Sequence, residues 1–320
     1  MTTKCLVTGA AGFIGSRLCH QLLDEGHDVI GIDGFTDSYD PTEKLGRAAG
    51  LTRRSQFTLV SGHLTDLPLG ELLERVEVVY HLAGRAGVRA SFQLAARYVL
   101  DNVTSTELLL QAGRRARSVR RLVFASSSSV YGDAPIPFRE DGETVPISPY
   151  GRTKLAAERA CLAADGDQLE TVALRYFTVY GPGQRPDMGL RIFAEAALAG
   201  LPLHVFGDGS QSRDFTYVED IVRATRAAAH TALSGIAINV GGGSRVTLTE
   251  TLELLSRIVG RPLNIRYEPF AAGDARHTSA DLARATELLG FEPRSSLQHG
   301  LAAEVEWIRD RQAADRSVAA

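Results

Sequence analysis

Cysteine, methionine and tryptophan are scarce: 3, 2 and 1 in 320 residues. Cys5, Cys19 and Cys161 stand far apart with no CxxC pair, which excludes a disulfide framework and the paired spacing of a structural zinc site. No metal is expected. No apolar run approaches the roughly 18 residues that read as a bilayer span, so no membrane partner is expected. Basic charge is not in excess either, with 35 Lys and Arg against 38 Asp and Glu and a net charge of −3. No global field therefore draws the chain to nucleic acid. The local cluster Arg114, Arg115, Arg117, Arg120 and Arg121 reads as a solvated helix C-terminus leading into a turn. The opening Met-Thr-Thr-Lys runs directly into a short apolar segment without the pattern of a secretory leader, and a cytoplasmic protein is expected. What remains is ordinary globular composition, 44% hydrophobic and 23% charged, over a length that suits about two domains.

The first 180 residues alternate short β-branched runs with longer helical patterns. Candidate strands are 5–8, 29–33, 57–60, 76–81, 122–125 and 171–176. Most are continuously apolar, as parallel strands covered on both faces should be. Helical patterns over 13–25, closed by Gly26, and over 102–117 complete repeated βα units. The expectation is an α/β fold: a Rossmann-type doubly wound parallel sheet with a smaller mixed α/β substrate domain. The first domain is expected over 1–178, with a return near 216–241. The second is expected over 179–310, beginning near the turn-rich Gly181-Pro182-Gly183-Gln184-Arg185-Pro186. It carries helices near 190–199, 248–259 and 281–289 and strands near 203–206 and 264–268. Residues 311–320 read as a fraying tail.

Gly9-Ala10-Ala11-Gly12-Phe13-Ile14-Gly15 follows the first strand and opens the first helix. Glycines there permit a tight turn and let backbone N–H groups approach a pyrophosphate at a helix N-terminus. Asp33 closes the second strand 18 residues after Gly15, where a carboxylate can hold both ribose hydroxyls. It would repel a 2′-phosphate, so NAD is expected rather than NADP. Further on, Ser148 and Pro149 suit an N-cap and first turn, and i, i+4 spacing puts Tyr150 and Lys154 on one helix face. An ammonium beside the phenol, with a cationic ring nearby, is expected to lower the tyrosine pKa toward that of a usable base. Ser126-Ser127-Ser128-Ser129 leaves the end of a candidate central strand, the place where open α/β sheets bind ligands. His81 also ends a strand and reads as structural.

Together with His81-Leu82-Ala83-Gly84, Val130-Tyr131-Gly132 and Gly207-Asp208-Gly209-Ser210-Gln211-Ser212-Arg213-Asp214-Phe215, these strings resemble the extended short-chain dehydrogenase/reductases. Within them the chain resembles the NAD-dependent sugar-nucleotide epimerase/dehydratase family, over residues 4 to about 310. By position, the resemblance implies a catalytic set of Ser127, Tyr150 and Lys154. It implies NAD contacts at Gly9, Gly12, Phe13, Ile14, Gly15, Asp33, Lys44, Asp66, Leu82, Ala83, Gly84, Asn102 and Tyr176, as well as Tyr150 and Lys154. The loop lacks the acid that dehydratases of the family place after the serine. Phe177-Thr178-Val179-Tyr180-Gly181-Pro182, Gly183-Gln184-Arg185-Pro186-Asp187-Met188 and Ala86-Gly87-Val88-Arg89 are similar to UDP-glucuronate 4-epimerases.

That likeness implies a UDP-sugar substrate with its C6 carboxylate among Ser128, Ser129, Thr178 and Arg185. Arg89, Ser127, Arg191, Arg213 and Arg276 complete the implied substrate set. The family's arginine before the later Gly-Asp pair is missing, with Pro269, Phe270, Ala271 and Ala272 in its place, and Arg276 is the candidate to supply its charge. UDP-glucose or UDP-N-acetylglucosamine 4-epimerase, then UDP-glucuronate decarboxylase, then a non-catalytic NAD-binding sensor remain open as alternatives. The resemblance also implies a homodimer through the helices around 102–113 and 148–163.

Overall fold

The computed structural model describes residues 2–270, 273 and 275–319, with side chains as far as 314. The strands in chain order are β1 (Lys4–Thr8), β2 (Asp28–Asp33), β3 (Phe57–Ser61), β4 (Val78–His81), β5 (Arg121–Ser127), β6 (Glu170–Tyr176), β7 (Thr178–Tyr180), β8 (Leu203–Phe206), β9 (Ser212–Tyr217), β10 (Ile236–Val240), β11 (Arg245–Thr247) and β12 (Ile265–Glu268). The helices are α1 (Phe13–Asp24), α2 (Pro41–Leu51), α3 (Leu69–Leu72), α4 (Val88–Gln93), α5 (Ala95–Tyr98), α6 (Ser105–Arg115), α7 (Pro149–Ala163), α8 (Gly189–Ala199), α9 (Val218–Ala228), α10 (Leu248–Val259), α11 (Ala283–Leu289) and α12 (Leu297–Ala319).

Seven strands form one sheet in the order β10-β6-β5-β4-β1-β2-β3. Every pairing in it is parallel. This is the Rossmann-type doubly wound sheet that the βα repeats imply. Period-2 alternation divides its side chains between two cores. Val7, Tyr80, Val123 and Leu174 face Leu18 and Leu22 of α1 and Ile221 of α9. Leu6, Val79, Leu122 and Phe124 face Leu109 of α6 and Ala157 and Cys161 of α7. Because both faces are covered, β4 and β5 are buried along their whole length. Chain order reverses between β1 and β4, which opens a crevice over their carboxyl ends.

The remaining strands build a three-stranded sheet, β11-β9-β7, and a two-stranded sheet, β12-β8. Leu190, Leu203, Leu252, Leu301 and Val305 pack a separate core between them and helices α8, α10 and α12.

Two helices differ from the pattern. The stretch expected as one helix from 102 begins with a π-helical segment, Val99–Thr104, before α6. Its wider turn carries Asp101 and Asn102 inward to 7% and 1% exposure, a placement that periodicity cannot foretell. At the other end, α12 continues through Ala319 where a fraying tail was expected from 311. Arg311 anchors the helix where the tail was expected to begin: the guanidinium pairs with Glu43 at 2.8 Å and lies 5.0 Å over the Trp307 ring. Ala320 lies outside the described residues.

Candidate active site

A cavity of about 1160 Å³ runs across the carboxyl ends of the strands and under the smaller sheets. At its first end the chain leaves β1 through Gly9, whose φ of +71° belongs to the left-handed region. A Cβ on Gly15 would fall 2.1 Å from the Gly9 carbonyl oxygen, so the turn closes only without side chains. Asp33, 5% exposed at the end of β2, forms the floor beside it. Its carboxylate accepts from the Ala11 N–H at 3.1 Å, the Phe35 N–H at 2.8 Å and Lys44 Nζ at 3.3 Å.

At the centre, β5 delivers Ser127 and turns sharply through a 3-10 segment, Ser128–Val130. The Ser129 N–H donates to Ser127 Oγ at 3.1 Å. Helix α7 begins as its sequence dictates, with Ser148 accepting from the Gly151 N–H at 3.1 Å and Pro149 in the first turn. Gly151 allows this helix end to approach the serine loop, which places the Tyr150 phenol within hydrogen-bonding reach of Ser127. Burial pushes the Tyr150 pKa up, offset in part by the Ser127 hydrogen bond and the Arg185 guanidinium. Without the cationic ring of a bound cofactor, loss of hydration is the largest influence on the phenol. Burial also lowers the Lys154 pKa to about 8, against the pull of Cys161 and Glu158. The Lys154 ammonium lies 4.4 Å over the Phe124 ring.

At the far end stand Thr178, from β7, and Arg185, from the loop before α8. Arg185 is held by Asp187, through Nε–Oδ1 at 3.0 Å and Nη2–Oδ2 at 2.5 Å. Beyond them Arg89, Arg213 and Arg276 line the same cavity. The Arg89 guanidinium lies 4.1 Å over the Phe206 ring and that of Arg276 lies 5.6 Å over Phe270. Gln211 Oε1 is buried there without a hydrogen-bond partner among the described residues.

Residues 5–241 match the NAD dependent epimerase/dehydratase family. The chain belongs to that family. An uncharacterized UDP-glucose epimerase of Bacillus subtilis (strain 168) is 40% identical over 309 residues, 95% of this chain and 98% of the relative. A UDP-glucuronate 4-epimerase of Thermodesulfobacterium geofontis (strain OPF15) is 39% identical over 311 residues, 95% of this chain and 96% of its own length. Among solved structures, a UDP-glucuronic acid 4-epimerase from Bacillus cereus in complex with UDP-glucuronic acid and NAD superposes with a TM-score of 0.92. It is 39% identical and matches 97% of this chain and 100% of its own.

Most residues implied by the likeness to this epimerase/dehydratase family meet in the cavity. Gly9, Gly12, Phe13, Ile14, Gly15, Asp33, Lys44, Leu82, Ala83, Gly84 and Tyr176 line its dinucleotide end and floor. Ser127, Ser128, Ser129, Tyr150, Lys154, Thr178 and Arg185 line the middle, with Arg89, Arg213 and Arg276 beyond. Three do not line it. Asp66 is exposed and accepts from Thr65 Oγ1 at 2.8 Å, because the chain turns away after Leu64. Asn102 lies beneath the wall: its carboxamide bonds the Arg85 N–H at 2.6 Å, the Arg85 carbonyl at 3.0 Å and Thr153 Oγ1 at 3.0 Å. It holds the loop after β4, and a Cβ on Gly84 would come 2.9 Å from its Oδ1. Arg191 points to the opposite side of α8 and binds Glu43 at 2.5 Å and Glu195 at 2.8 Å.

The sequence reading missed His63 and Leu64, which form the wall where Asp66 was expected, and Phe206 and Phe270 at the substrate end. The strand-end rule points to the first pair, since they directly follow β3. Nothing in the sequence singles out the two aromatics. Ala271, Ala272 and Asp274 of the later motif lie outside the described residues. His81 is structural, as expected: its Nδ1 pairs with Thr8 Oγ1 at 2.7 Å and its Nε2 with Thr106 Oγ1 at 2.9 Å, and burial lowers its pKa to about 3.

Proposed function

We propose that this chain is a UDP-glucuronate 4-epimerase that interconverts UDP-glucuronate and UDP-galacturonate with a tightly held NAD. The observation that carries the reading is the joint presence, in one cavity, of the Ser127–Tyr150 pair and of Arg185 with Thr178 beyond it. A non-catalytic sensor has no use for the first, and an epimerase of neutral sugars has no use for a cation at C6. The cradle fits a dinucleotide, since Gly15 admits the backbone where any Cβ would collide and Asp33 suits ribose hydroxyls. Gly9, Gly12, Gly15, Asp33 and Lys44 would hold the adenosine diphosphate half, and Lys154 the nicotinamide ribose.

The chemistry supplied by NAD when bound is a reversible hydride acceptor at sugar C4, so the reaction has no net redox change. The protein moves the proton. Tyr150, as phenolate, takes the C4 hydroxyl proton and later returns it, with Ser127 bonded to the same oxygen. Lys154 favours the phenolate by its charge. Arg213 and Arg276 supply cations for the diphosphate, and Arg89 adds a third along the wall. Ser128, Ser129, Thr178 and Arg185 hold the C6 carboxylate, for which several donors and a guanidinium are suited.

Such a clamp has a second task. Once C4 is a ketone the uronate is a β-keto acid, which loses CO₂ when its carboxylate aligns with the ketone π system. Donors that hold the carboxylate out of that alignment keep the reaction an epimerisation. The test is to incubate the protein with UDP-glucuronate, and separately with UDP-glucose, following the sugar signals by NMR. UDP-galacturonate in the first tube alone is the expected result. UDP-galactose in the second, with the uronate untouched, would establish the neutral-sugar epimerase that the Bacillus subtilis relative is named for. Arg185→His should yield a decarboxylated pentose product. Slower epimerisation without it would count against the clamp.

We also infer a cytoplasmic homodimer. Leu94 and Val99, 46% and 48% exposed beside α6, offer an apolar stripe for a second copy. Sedimentation of the purified protein tests it.

A further inference from the structure

The loop that carries Arg185 is not free-standing. Its three preceding carbonyl groups are each capped by an arginine from a different helix. Arg17 of α1 donates to the Pro182 oxygen. Arg47 of α2 donates to the Gly183 oxygen at 2.8 Å. Arg191 of α8 donates to the Gln184 oxygen at 2.6 Å, while its own N–H donates to Gln184 Oε1 at 3.1 Å. Three consecutive carbonyls held this way fix the backbone immediately before Arg185.

Two of these three arginines converge on one carboxylate. Glu43, on α2, accepts from Arg47 at 3.1 Å and from both Arg191 terminal nitrogens at 2.9 and 2.5 Å, and it is ion-paired with Arg311 of α12 at 2.8 Å. Its side chain is 9% exposed and that of Arg191 5%, so the Arg191 pair lies largely out of water, where charge-assisted bonds hold direction well. The neighbouring residue, Lys44, carries the ammonium bonded to Asp33. One helix therefore holds a cation of the dinucleotide end and the anion that gathers the arginines of the sugar end.

We propose that Glu43 is the positioning residue for Arg185, fixing the loop 182–185 through Arg47 and Arg191 so that the guanidinium meets the sugar carboxylate in register. The inference rests on the uronate reading above. It gives Arg191 a role behind the site rather than in it. Without the Glu43 charge, Arg47 and Arg191 lose their common anchor and repel one another, and the loop drifts while the diphosphate end, on other elements, is untouched.

The test compares Glu43→Gln with the wild-type protein loaded with NAD. Calorimetric binding of UDP and of UDP-glucuronate is measured, along with product distribution by NMR and retained NAD by absorbance. The expected result is UDP-glucuronate binding weakened about tenfold, UDP binding unchanged, NAD retained, and a pentose by-product alongside UDP-galacturonate. Equal weakening of both ligands, or no change in either with no by-product, would overturn the proposal. If Glu43→Gln does not fold, Arg47→Met keeps the Arg191–Glu43 pair while releasing the Gly183 carbonyl, the Tyr39 hydroxyl and the Ala11 carbonyl, and should give the same selective pattern to a smaller degree. Its absence there overturns the proposal equally. Failure of the uronate reading itself shows separately, as a wild-type protein that leaves UDP-glucuronate unconverted.

Discussion

Gly151 lies so close to the serine loop that a Cβ there would stand 2.4 Å from the Ser129 carbonyl oxygen. The residue after Tyr150 is therefore the one that lets helix and loop meet. Gly151→Ala should push α7 away from Ser127 by several tenths of an ångström or more. Because misplacement by about 1 Å can cost on the order of 100-fold, kcat should fall far more than substrate binding weakens. Steady-state kinetics with a melting curve tests this: an unchanged kcat in a folded variant would show that the approach is not needed.

Lys154 sets the alkaline side of the activity profile. Its lowered pKa of about 8 means that the ammonium is present below that pH and is lost above it. Tyr150 requires the opposite, since its raised pKa makes phenolate scarcer as pH falls. A bell-shaped profile follows, with kcat/KM of the unliganded enzyme declining above about pH 8. Lys154→Met should abolish that decline and lower the plateau. Retention of the alkaline limb in this variant would assign it to another group.

Asp33 and Lys44 decide the dinucleotide together. Lys44 Nζ stands 3.3 Å from the Asp33 carboxylate, so the group that would repel a 2′-phosphate is paired to a neighbouring cation. Asp33→Ser should weaken NAD retention and allow NADP to bind, because the repelling charge is gone and the Lys44 ammonium is released. Protein-bound dinucleotide after gel filtration, identified by mass, reads both effects. Unaltered preference for NAD would show that selection lies elsewhere.

Glu304 links stability to pH. It is fully buried on α12, neither oxygen has a well-formed partner among the described residues, and burial pushes its pKa up to about 8, offset in part by the Gly181 N–H. Below about pH 4.5, the ordinary glutamate value, folded and unfolded chains both hold the proton. Between there and about 8 only the folded chain holds it, so the unfolded state binds fewer protons and stability falls as pH rises. Glu304→Gln should flatten that fall and raise the melting temperature most near pH 8. Parallel melting curves for the two proteins across this range would disprove the assignment.

How much of this was legible beforehand depends on whether the governing contacts are local. The glycine turn, the Ser148-Pro149 start of α7 and the Tyr150–Lys154 face depend on neighbours within a few residues, and the sequence displays them. Asp33 is readable because a strand end places it. Asp66 misled because its distance from the strand is two residues too great, a difference visible only once the turn after Leu64 is seen. Arg191 misled because helix periodicity gives relative faces and never says which face meets the cavity. The burial that pushes the Tyr150 pKa up is a property of the assembled site and has no counterpart in the i, i+4 spacing.

By itself, then, the sequence determined the βα order, the phosphate-binding turn, the helix face carrying tyrosine and lysine, and the family. Those follow from backbone sterics and hydrophobic period, which act along the chain. Tertiary structure alone decided which arginines line the cavity and which stand behind its wall. Glu43 and the carbonyls of Gly183 and Gln184 are about 140 residues apart in the chain, and only folding brings them to the same donors, Arg47 and Arg191.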